Sequence, residues 1–199
     1  MTTTPRVAFW LIPGAADHGW LSVRIAGLAA RHGGPVFEPH TTLHVGPVAA
    51  GCDVDLLLAA FAARWPPIEL EAGPTGQSDV YFKALFSELR ADRQDGPILA
   101  AMQQAIASAC LSDETGEHVP EAIRHALAGY PLQPHLSLLY GCLPSQLRER
   151  LARDEDLRGR ALRFDTIAAV RPIPGHADLS RVAHWDVFGH RRLTGARAS

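Results

Sequence analysis

The sequence predicts an α+β fold made of two duplicated lobes. Segments typical of strands and segments typical of helices alternate twice along the 199 residues. Each half also contains one copy of a short polar motif, "PHTTL" at residues 39–43 and "PHLSL" at residues 134–138. A chain of this length forms one domain or two small lobes that share a core. We therefore expect the two motif strands to meet at the centre of the molecule.

The first part of the chain contains two predicted strands and two predicted helices. Apolar runs predict strands at residues 7–12 and 36–45. Helical spacing predicts a short helix at residues 22–31, which a pair of glycines ends. A second helix begins after Asp53, a good N-cap residue, because apolar side chains follow it at helical spacing up to residue 64.

The middle of the chain adds two strands and a longer helix. Strands are expected at residues 68–72 and 80–89, joined by a Gly-Pro-Thr-Gly loop at residues 73–76. A helix opens at residues 95–97, where glycine and proline follow an aspartate. Its inner stripe is formed by Ile98, Met102, Ile106 and Cys110.

The remaining segments complete the second lobe. Residues 112–129 are polar and acidic at first and then offer a short helix at 120–128. A strand at 132–140 contains the second motif, a helix follows at 144–157, and strands at 162–170 and 182–188 close the chain. We expect one bilobal domain over residues 1–190 and a flexible basic tail over residues 191–199.

Composition limits the classes of function. Hydrophobic residues make up 47% of the chain, as in soluble globular proteins, and no apolar run reaches eighteen residues, so we expect no membrane span. The first five residues do not resemble a signal peptide. Three cysteines without a C-x-x-C pair favour a reducing, cytoplasmic location. A net charge of −2 argues against an extended nucleic-acid surface and favours a small ligand.

Strand geometry gives the two motifs a shared chemistry. Residues i and i+2 of a strand lie on the same face, so His40 is expected beside Thr42 and His44, and His135 beside Ser137. One neutral imidazole can take a proton from water, and one imidazolium can give a proton to a leaving oxygen. The two hydroxyls can hold the oxygens of a phosphodiester anion. A lone His-x-Thr is usually structural, but two matching copies are hard to assign to chance.

The paired motifs, 95 residues apart, resemble the two-histidine (2H) phosphoesterase superfamily. The stretches "AFWLIP", "VFEPHTTLHVG", "SDVYFKALFSEL", "LQPHLSLLYG" and "RVAHWDVFG" are similar to the cyclic phosphodiesterase family known from plants and yeast. The resemblance implies two lobes related by a pseudo-twofold axis, each with an antiparallel sheet flanked by helices, and a cleft between them. It also implies opening of small cyclic phosphates without a metal or other cofactor.

The resemblance assigns roles to individual residues. It implies that His40 and His135 are catalytic and that Thr42, Ser137 and Tyr140 bind the phosphate. Ideal strand phase would turn Tyr140 away from His135, so its role requires a bend in the strand. By analogy with the family, His135 would activate water and His40 would protonate the leaving oxygen, although the sequence itself does not distinguish the two.

Weaker candidates surround these motifs. Trp10, Tyr81 and Phe82 occupy strands that resemble those lining the family's cleft, and any of them could stack on a nucleobase, although such residues are usually core. Lys83 could approach a phosphate, but a solvated lysine is more common. The segment 112–129 could cover the cleft.

Four alternatives remain open from sequence. A metal site at His40 and His44 would need two ligands whose backbones lie four residues, roughly 13 Å, apart along a strand, which suits one ion poorly. A nucleotide-binding module without catalysis would leave both histidines and both hydroxyls unused. A 2′–5′ RNA phosphodiesterase or ligase-like protein of the same superfamily is a further alternative. A plain structural protein leaves the duplicated motif unexplained. A monomer is the default, because the cleft lies within one chain.

Overall fold

The described chain is a mixed α and β structure, as predicted. The structure, a computed structural model, describes residues 6–49, 51–93, 95–110, 132–171 and 185–197. This part contains four α-helices and one seven-stranded sheet in which all strand pairs are antiparallel. None of the helices found there has the length and apolar character needed to cross a membrane.

The elements follow one another in a mixed order. The strands are β1 (Arg6–Pro13), β2 (Thr41–Pro47), β3 (Ile68–Gln77), β4 (Leu85–Leu89), β5 (His135–Leu139), β6 (Ala161–Arg171) and β7 (Asp186–Arg192). The helices are α1 (Ala15–His32), α2 (Val54–Arg64), α3 (Gly96–Cys110) and α4 (Ser145–Asp154), and a 3-10 turn spans Tyr81–Lys83.

The sheet places the two motif strands side by side at its centre. Its order is β1-β2-β5-β4-β3-β6-β7, and β6 also pairs with β1, so six strands close into a ring with β7 attached to β6. The main hydrophobic core collects buried side chains from strands and from all four helices. Both motifs therefore belong to one continuous sheet, instead of the separate sheets of two lobes that the resemblance implies.

Each motif strand contains an extra residue at the same motif position. In β2, Thr42 lies opposite Trp10 and His44 lies opposite Phe9, so Leu43 is the additional residue of a β-bulge. In β5, Ser137 lies opposite Phe86 and Leu139 lies opposite Leu85, so Leu138 is additional in the same way. The two halves of the sheet thus repeat one another in register and in irregularity.

Local signals place several elements correctly. Asp53 caps α2, because its side chain accepts hydrogen bonds from the backbone nitrogens of Asp55 and Leu56 at 3.0 and 3.1 Å. Met102 and Cys110 on the predicted inner stripe of α3 are fully buried.

The boundaries of other elements differ from the prediction. Helix α1 begins at Ala15, seven residues earlier than expected, with Asp17 in its first turn. Strand β2 begins only at Thr41, since the chain before it forms the proline-containing approach to His40. Strand β3 continues through the glycine-rich stretch that was expected to be a loop. At Gly76 any side chain would collide with the ring of Phe86. This position of the strand therefore favours glycine.

The C-terminal residues are also more ordered than expected. Residues 191–192 end β7, and the flexible tail predicted for 191–199 is replaced by packing contacts over residues 193–197. Leu193 is 4% exposed, and Arg197 pairs with the buried carboxylate of Asp95. The predicted segment 112–129, with its helix at 120–128, and the start of the predicted strand 182–188 lie outside the described residues.

Candidate active site

The two motif histidines are anchored in the same way. His40 Nδ1 lies 2.7 Å from the backbone oxygen of Glu38, and His135 Nδ1 lies 3.0 Å from the backbone oxygen of Gln133. Because a carbonyl oxygen only accepts hydrogen bonds, each Nδ1 has to donate a proton. The neutral ring then has its lone pair on Nε2 in both histidines. Two equivalent basic nitrogens are thereby made available to a ligand.

The proline of each motif accounts for this anchor. Pro39 and Pro134 stand between the histidine and its carbonyl acceptor. Proline fixes its own φ and disfavours helical backbone in the residue before it. The acceptor carbonyl is therefore held in a set direction relative to the imidazole, which explains why both motifs begin with proline.

His40 lies on an aromatic platform. Its ring stacks on Trp10 with centroids 3.7 Å apart and planes 10° from parallel, and Trp10 stacks on Trp185 with centroids 6.1 Å apart. Burial is the main cause that lowers the pKa of His40 from 6.5 to about 4. The hydrogen bond to Glu38 opposes this shift, and the nearby His135 adds to it. The electrostatic influence of His135 indicates that the two imidazoles lie near each other.

His135 has different neighbours. Its ring meets Phe86 edge-on, with centroids 5.7 Å apart and planes at 76°, and Lys83 Nζ lies 4.5 Å from the centre of the same phenyl ring. Burial lowers the pKa of His135, the hydrogen bond to Gln133 opposes that shift, and the charge of Lys83 adds to it. Both imidazoles are therefore mainly neutral at pH 7 in the free protein.

Pairing of the motif strands brings the histidines next to the hydroxyls. Thr41 of β2 is the antiparallel partner of Leu136 of β5. One residue further in each direction, this register sets His40 opposite Ser137 and His135 opposite Thr42. Each imidazole thus has one hydroxyl two residues ahead in its own strand and the other in the neighbouring strand. The four residues expected from the duplicated motif are gathered in one place.

The two hydroxyls differ in their present partners. Ser137 is 5% exposed, and its Oγ donates to the backbone oxygen of Phe82 at 2.9 Å. Thr42 is half-buried, and its hydroxyl forms no hydrogen bond with the described part of the chain. Thr42 is therefore ready to donate to an anion, whereas Ser137 has to rotate away from Phe82 to do so.

Tyr140 lies behind Ser137. The bulge at Leu138 supplies the bend that ideal strand phase lacks, and Tyr140 interacts with the side chain of Ser137. Its ring stacks on Phe37 at 3.7 Å, it is 2% exposed, and burial raises the pKa of its phenol. In this structure Tyr140 supports the position of Ser137 and is covered from solvent.

The three aromatic residues considered for nucleobase stacking, Trp10, Tyr81 and Phe82, pack against other protein groups in this structure. Trp10 is 3% exposed and lies between His40 and Trp185, so protein rings occupy both faces of its indole, although it also contributes to the wall of the cavity described below. Tyr81 and Phe82 pack in the small cluster around Tyr140. Their backbone oxygens serve the second motif, because Phe82 accepts from Ser137 and Tyr81 accepts from the backbone nitrogen of Gly141 at 2.9 Å.

His44 lies away from the other motif residues. The bulge turns it to the face of Phe9, where it is 7% exposed and its Nε2 has no partner in the described chain. Burial and, secondarily, Arg6 lower its pKa. The expected shared face of His40 and His44 is therefore wrong, and so is the chelate built on it. No cluster of three or more potential metal-binding side chains occurs within the ranges that the structure describes.

A cavity of about 400 Å³ opens beside Trp10 and the segment that leads to the first motif, and neither motif histidine nor motif hydroxyl lines it. Its lining residues come from β1, α1, the approach to His40 and the start of β7: Trp10, Ser22, Val36, Phe37, Glu38, Pro39, Trp185 and Val187. Glu38 contributes to this lining, and its carboxylate Oε1 lies 2.8 Å from His18 Nε2. The volume and the mixture of aromatic and polar walls are typical of a small-molecule site.

Two aromatic neighbours of the histidines were not singled out from sequence. Phe86 occupies the position opposite Ser137 that Trp10 occupies opposite Thr42. The matching stretches "AFW" and "ALF" were a usable signal, since both place an aromatic residue third. Trp185 lies within the quoted stretch "RVAHWDVFG", but no local pattern connects it to Trp10.

Comparison with known proteins places the fold. No protein-family model and no curated protein sequence matches the chain. Among solved structures, TT0787 of Thermus thermophilus covers 96% of this chain and 100% of its own, with a TM-score of 0.60 at 17% identity. A phosphoesterase covers 96% and 99%, with a TM-score of 0.52 at 18% identity. LigT of E. coli complexed with ATP covers 97% and 99%, with a TM-score of 0.53 at 17% identity. The predicted resemblance is thus confirmed at the level of fold, since these three structures, one of them a phosphoesterase, match nearly the whole chain.

Proposed function

We propose that this protein is a phosphoric diester hydrolase that opens small cyclic phosphates by two-histidine acid–base catalysis without a metal ion. The observation that carries the proposal is the matched pair His40 and His135. Each donates from Nδ1 to the carbonyl two residues earlier, and each lies near both Thr42 and Ser137. Two basic nitrogens and two hydroxyls around one point are what a phosphodiester needs for in-line hydrolysis.

The reaction can be written with these groups alone. Nε2 of one neutral histidine removes a proton from water as the water oxygen bonds to phosphorus. The bond from phosphorus to one ring oxygen breaks, and Nε2–H of the other histidine, protonated, gives its proton to that oxygen. The products are a phosphate monoester and a free hydroxyl. Thr42 and Ser137 donate to the non-bridging oxygens, whose charge grows in the transition state.

The acid acquires its proton together with the substrate. Burial keeps both imidazoles mainly neutral in the free protein, and a bound phosphodiester anion raises the pKa of any imidazole beside it. We assign the base to His135 and the acid to His40. The assignment follows the resemblance to cyclic phosphodiesterases, and it requires the bound anion to raise the pKa of His40, which lies at about 4 in the free protein, until the ring is protonated.

We propose nucleotides as the substrate class. LigT has been crystallised with 3′-AMP and with NADP⁺, at TM-scores of 0.50 and 0.52 to this chain. The cavity beside Trp10 and Pro39 has the volume of small-molecule sites and is large enough for a nucleoside. Within this class we favour nucleoside 2′,3′-cyclic phosphates, opened to the 2′-phosphate, and ADP-ribose 1″,2″-cyclic phosphate, as the resemblance to cyclic phosphodiesterases implies.

We further propose that the two halves are duplicated lobes related by an approximate twofold axis. The axis would pass between Thr41 and Leu136, which are equivalent motif positions and strand partners. The bulges at Leu43 and Leu138 support this relation. All four site residues come from one chain, so a monomer is expected to be active.

Hydrolysis assays test this proposal. Wild type and His135→Ala are incubated with a panel of 2′,3′-cyclic nucleotides and with ADP-ribose 1″,2″-cyclic phosphate in excess EDTA. We expect turnover that resists EDTA and falls by about 10²–10⁴-fold in the variant, as for loss of a general base or acid. Absence of turnover by folded wild type, with cleavage of 2′–5′-linked RNA instead, would favour the RNA phosphodiesterase alternative. Tight nucleotide binding without any cleavage would favour a silent binding module.

A further inference from the structure

Lys83 lies at the second motif and has no role in the reaction described above. It is the only lysine of the chain and ends the 3-10 turn Tyr81–Lys83. Its Nζ lies 4.5 Å from the centre of the Phe86 ring, and the same ring meets His135 edge-on. The lysine and the histidine therefore lie around one phenyl group.

The backbone of this turn is held firmly to the motif strand. The turn's middle residue, Phe82, accepts a hydrogen bond from Ser137 Oγ at 2.9 Å, and Tyr81 accepts one from the nitrogen of Gly141 at 2.9 Å. The backbone oxygen of Lys83 accepts from Ser78 Oγ at 2.8 Å. The position of Lys83 relative to Ser137 and His135 is thus fixed by the backbone, while the four-carbon stem leaves Nζ free to turn.

The ammonium of Lys83 has no acidic partner. Within the described ranges no carboxylate comes within ion-pair distance of its Nζ, and the lysine is half-buried. Most described ion pairs of the chain involve arginines already matched with carboxylates. A half-buried cation close to His135 and to the turn that holds Ser137, with no counter-ion among the described residues, is suited to an anion.

The two halves differ at this point. By strand register Phe86 corresponds to Trp10, and counting three residues back along the sequence from each sets Lys83 against Val7. Val7 is buried in the main core. The positive charge is therefore present on the His135 side of the site, and the corresponding position on the His40 side holds a buried valine.

We propose that Lys83 binds the phosphate held between the two histidines and thereby makes the site asymmetric. On this view Nζ leaves the face of Phe86 and donates to a non-bridging oxygen next to His135. The inference rests on the proposed function for the identity of the reacting group. It adds a cationic contact that the duplicated motif does not contain.

The same charge affects which histidine is the base. Among the described residues, three charged or titratable groups are near His135: Lys83 from the 3-10 turn, His40 just before β2, and Glu88, its strand partner on β4. Lys83 lowers the pKa of His135 and so favours the unprotonated ring that a base requires. Removing the charge should raise the pKa of His135 while Glu88 and His40 stay in place.

Binding of inorganic phosphate and histidine titration test the inference without relying on turnover. The variants are Lys83→Met, which removes the charge, and Lys83→Arg, which keeps it. Arg64→Met is the matched control, since Arg64 lies 5.1 Å above Trp65 at the end of α2 and its loss also removes one cation–π contact. Phosphate affinity is measured by calorimetry, and the His135 ring signal is followed by NMR from pH 4 to 8.

We expect Lys83→Met to weaken phosphate binding by at least about tenfold and to lower kcat/KM by about 10- to 100-fold, in the range of a lost charge-assisted contact. Its His135 pKa should rise, while Lys83→Arg and Arg64→Met stay close to wild type. Equal phosphate affinity in Lys83→Met and wild type, or a wild type that binds no phosphate, would overturn the inference. Lysine-dependent phosphate binding without turnover of any cyclic phosphate would retain it and refute the proposed function.

Discussion

His40 and His135 share an anchor but differ in what covers their rings. His40 stacks flat on the buried indole of Trp10, whereas His135 meets the edge of Phe86 and the charge of Lys83. The flat stack excludes more water, which explains why burial dominates the low pKa of His40. Equal motifs thus produce two imidazoles with unequal surroundings, as an acid and a base require.

Replacing either aromatic neighbour should affect the histidine of its own half. In Trp10→Leu the ring that covers His40 is lost, water enters, and the pKa of His40 rises from about 4 towards 6.5. We expect kcat to fall by roughly tenfold because the imidazole loses its fixed orientation. NMR titration of the His40 ring and steady-state kinetics measure the two effects.

Phe86→Leu is the matched variant on the other side. It should move the pKa of His135 and leave that of His40 nearly unchanged. Trp10→Phe keeps a ring over His40 and is expected to retain most of the activity. An unchanged His40 titration in Trp10→Leu would contradict the role of the indole.

At the scale of single residues, sequence was sufficient to select the four side chains of the candidate site. His40, Thr42, His135 and Ser137 followed from a pattern repeated twice, and the structure gathers them. The aromatic partners required tertiary information, since Trp185 reaches Trp10 from the far end of the chain. Stacking of an imidazole on an indole leaves no periodic trace in a sequence.

The bulges in the motif strands could not be predicted from the way successive residues of a strand alternate between its two faces. Leu43 and Leu138 are apolar residues in apolar strands, so an extra residue at either place leaves the pattern unchanged. The consequence is large, because every later side chain changes face. His44 moves to the core face, and Tyr140 comes to lie beside Ser137.

Adjacent threonines on β2 provide a test of these faces. Thr42→Val removes a hydroxyl from the site and should reduce kcat/KM by roughly 10²-fold with little loss of stability. Thr41 is 1% exposed, and its hydroxyl has no partner in the described chain. Thr41→Val should therefore leave activity unchanged and raise the free energy of unfolding by about 1 kcal/mol.

Steady-state kinetics measure kcat/KM of both threonine variants, and urea denaturation measures their free energies of unfolding. Loss of activity in Thr41→Val together with normal activity in Thr42→Val would mean that the register of β2 is shifted by one residue from the one described here.

At the scale of the whole molecule, the C-terminal residues close the fold. The sequence after Gly189 is polar and basic, which is also typical of a frayed tail, so composition alone was misleading. The stabilising contacts are long-range: Leu193 fills the core, the nitrogens of Thr194 and Gly195 donate to α2 and to Trp65, and Arg197 pairs with Asp95. None of these contacts can be read from local spacing.

Shortening the C-terminus tests this closure. Ending the chain after His190 should cost several kcal/mol of unfolding free energy, because it removes a buried leucine and uncovers the 6% exposed carboxylate of Asp95. The point variant Arg197→Ala should cost about 1–3 kcal/mol for the same unpaired carboxylate. Removal of residues 198–199 alone is the control and should have no effect. A melting temperature equal to wild type in the shortest chain would show that the C-terminus is not part of the fold.

Global stability should decrease with acidification through the low histidine pKa values. The unfolded chain protonates His40 near pH 6.5, whereas the folded chain does so only near pH 4. Stability is therefore complete above about pH 6.5 and declines as the pH falls to 4, at up to about 1.4 kcal/mol per pH unit from this residue. Denaturation of wild type and His40→Gln at several pH values measures how the free energy of unfolding depends on pH. Between pH 4 and 6.5 the variant should take up about one proton fewer on unfolding, so its slope should be smaller. Identical slopes would mean that His40 is not buried as neutral imidazole.

The pH dependence of kcat/KM on the best cyclic phosphate tests the central claim most directly. Wild type, His40→Ala and His135→Ala are compared in excess EDTA. An acid and a base in one site predict a bell-shaped profile for wild type. His135→Ala should lose the acidic limb and His40→Ala the basic limb, both at strongly reduced rates. A bell that persists with both limbs in either variant would contradict two-histidine catalysis, and exchange of the two limbs would reverse the assignment of acid and base.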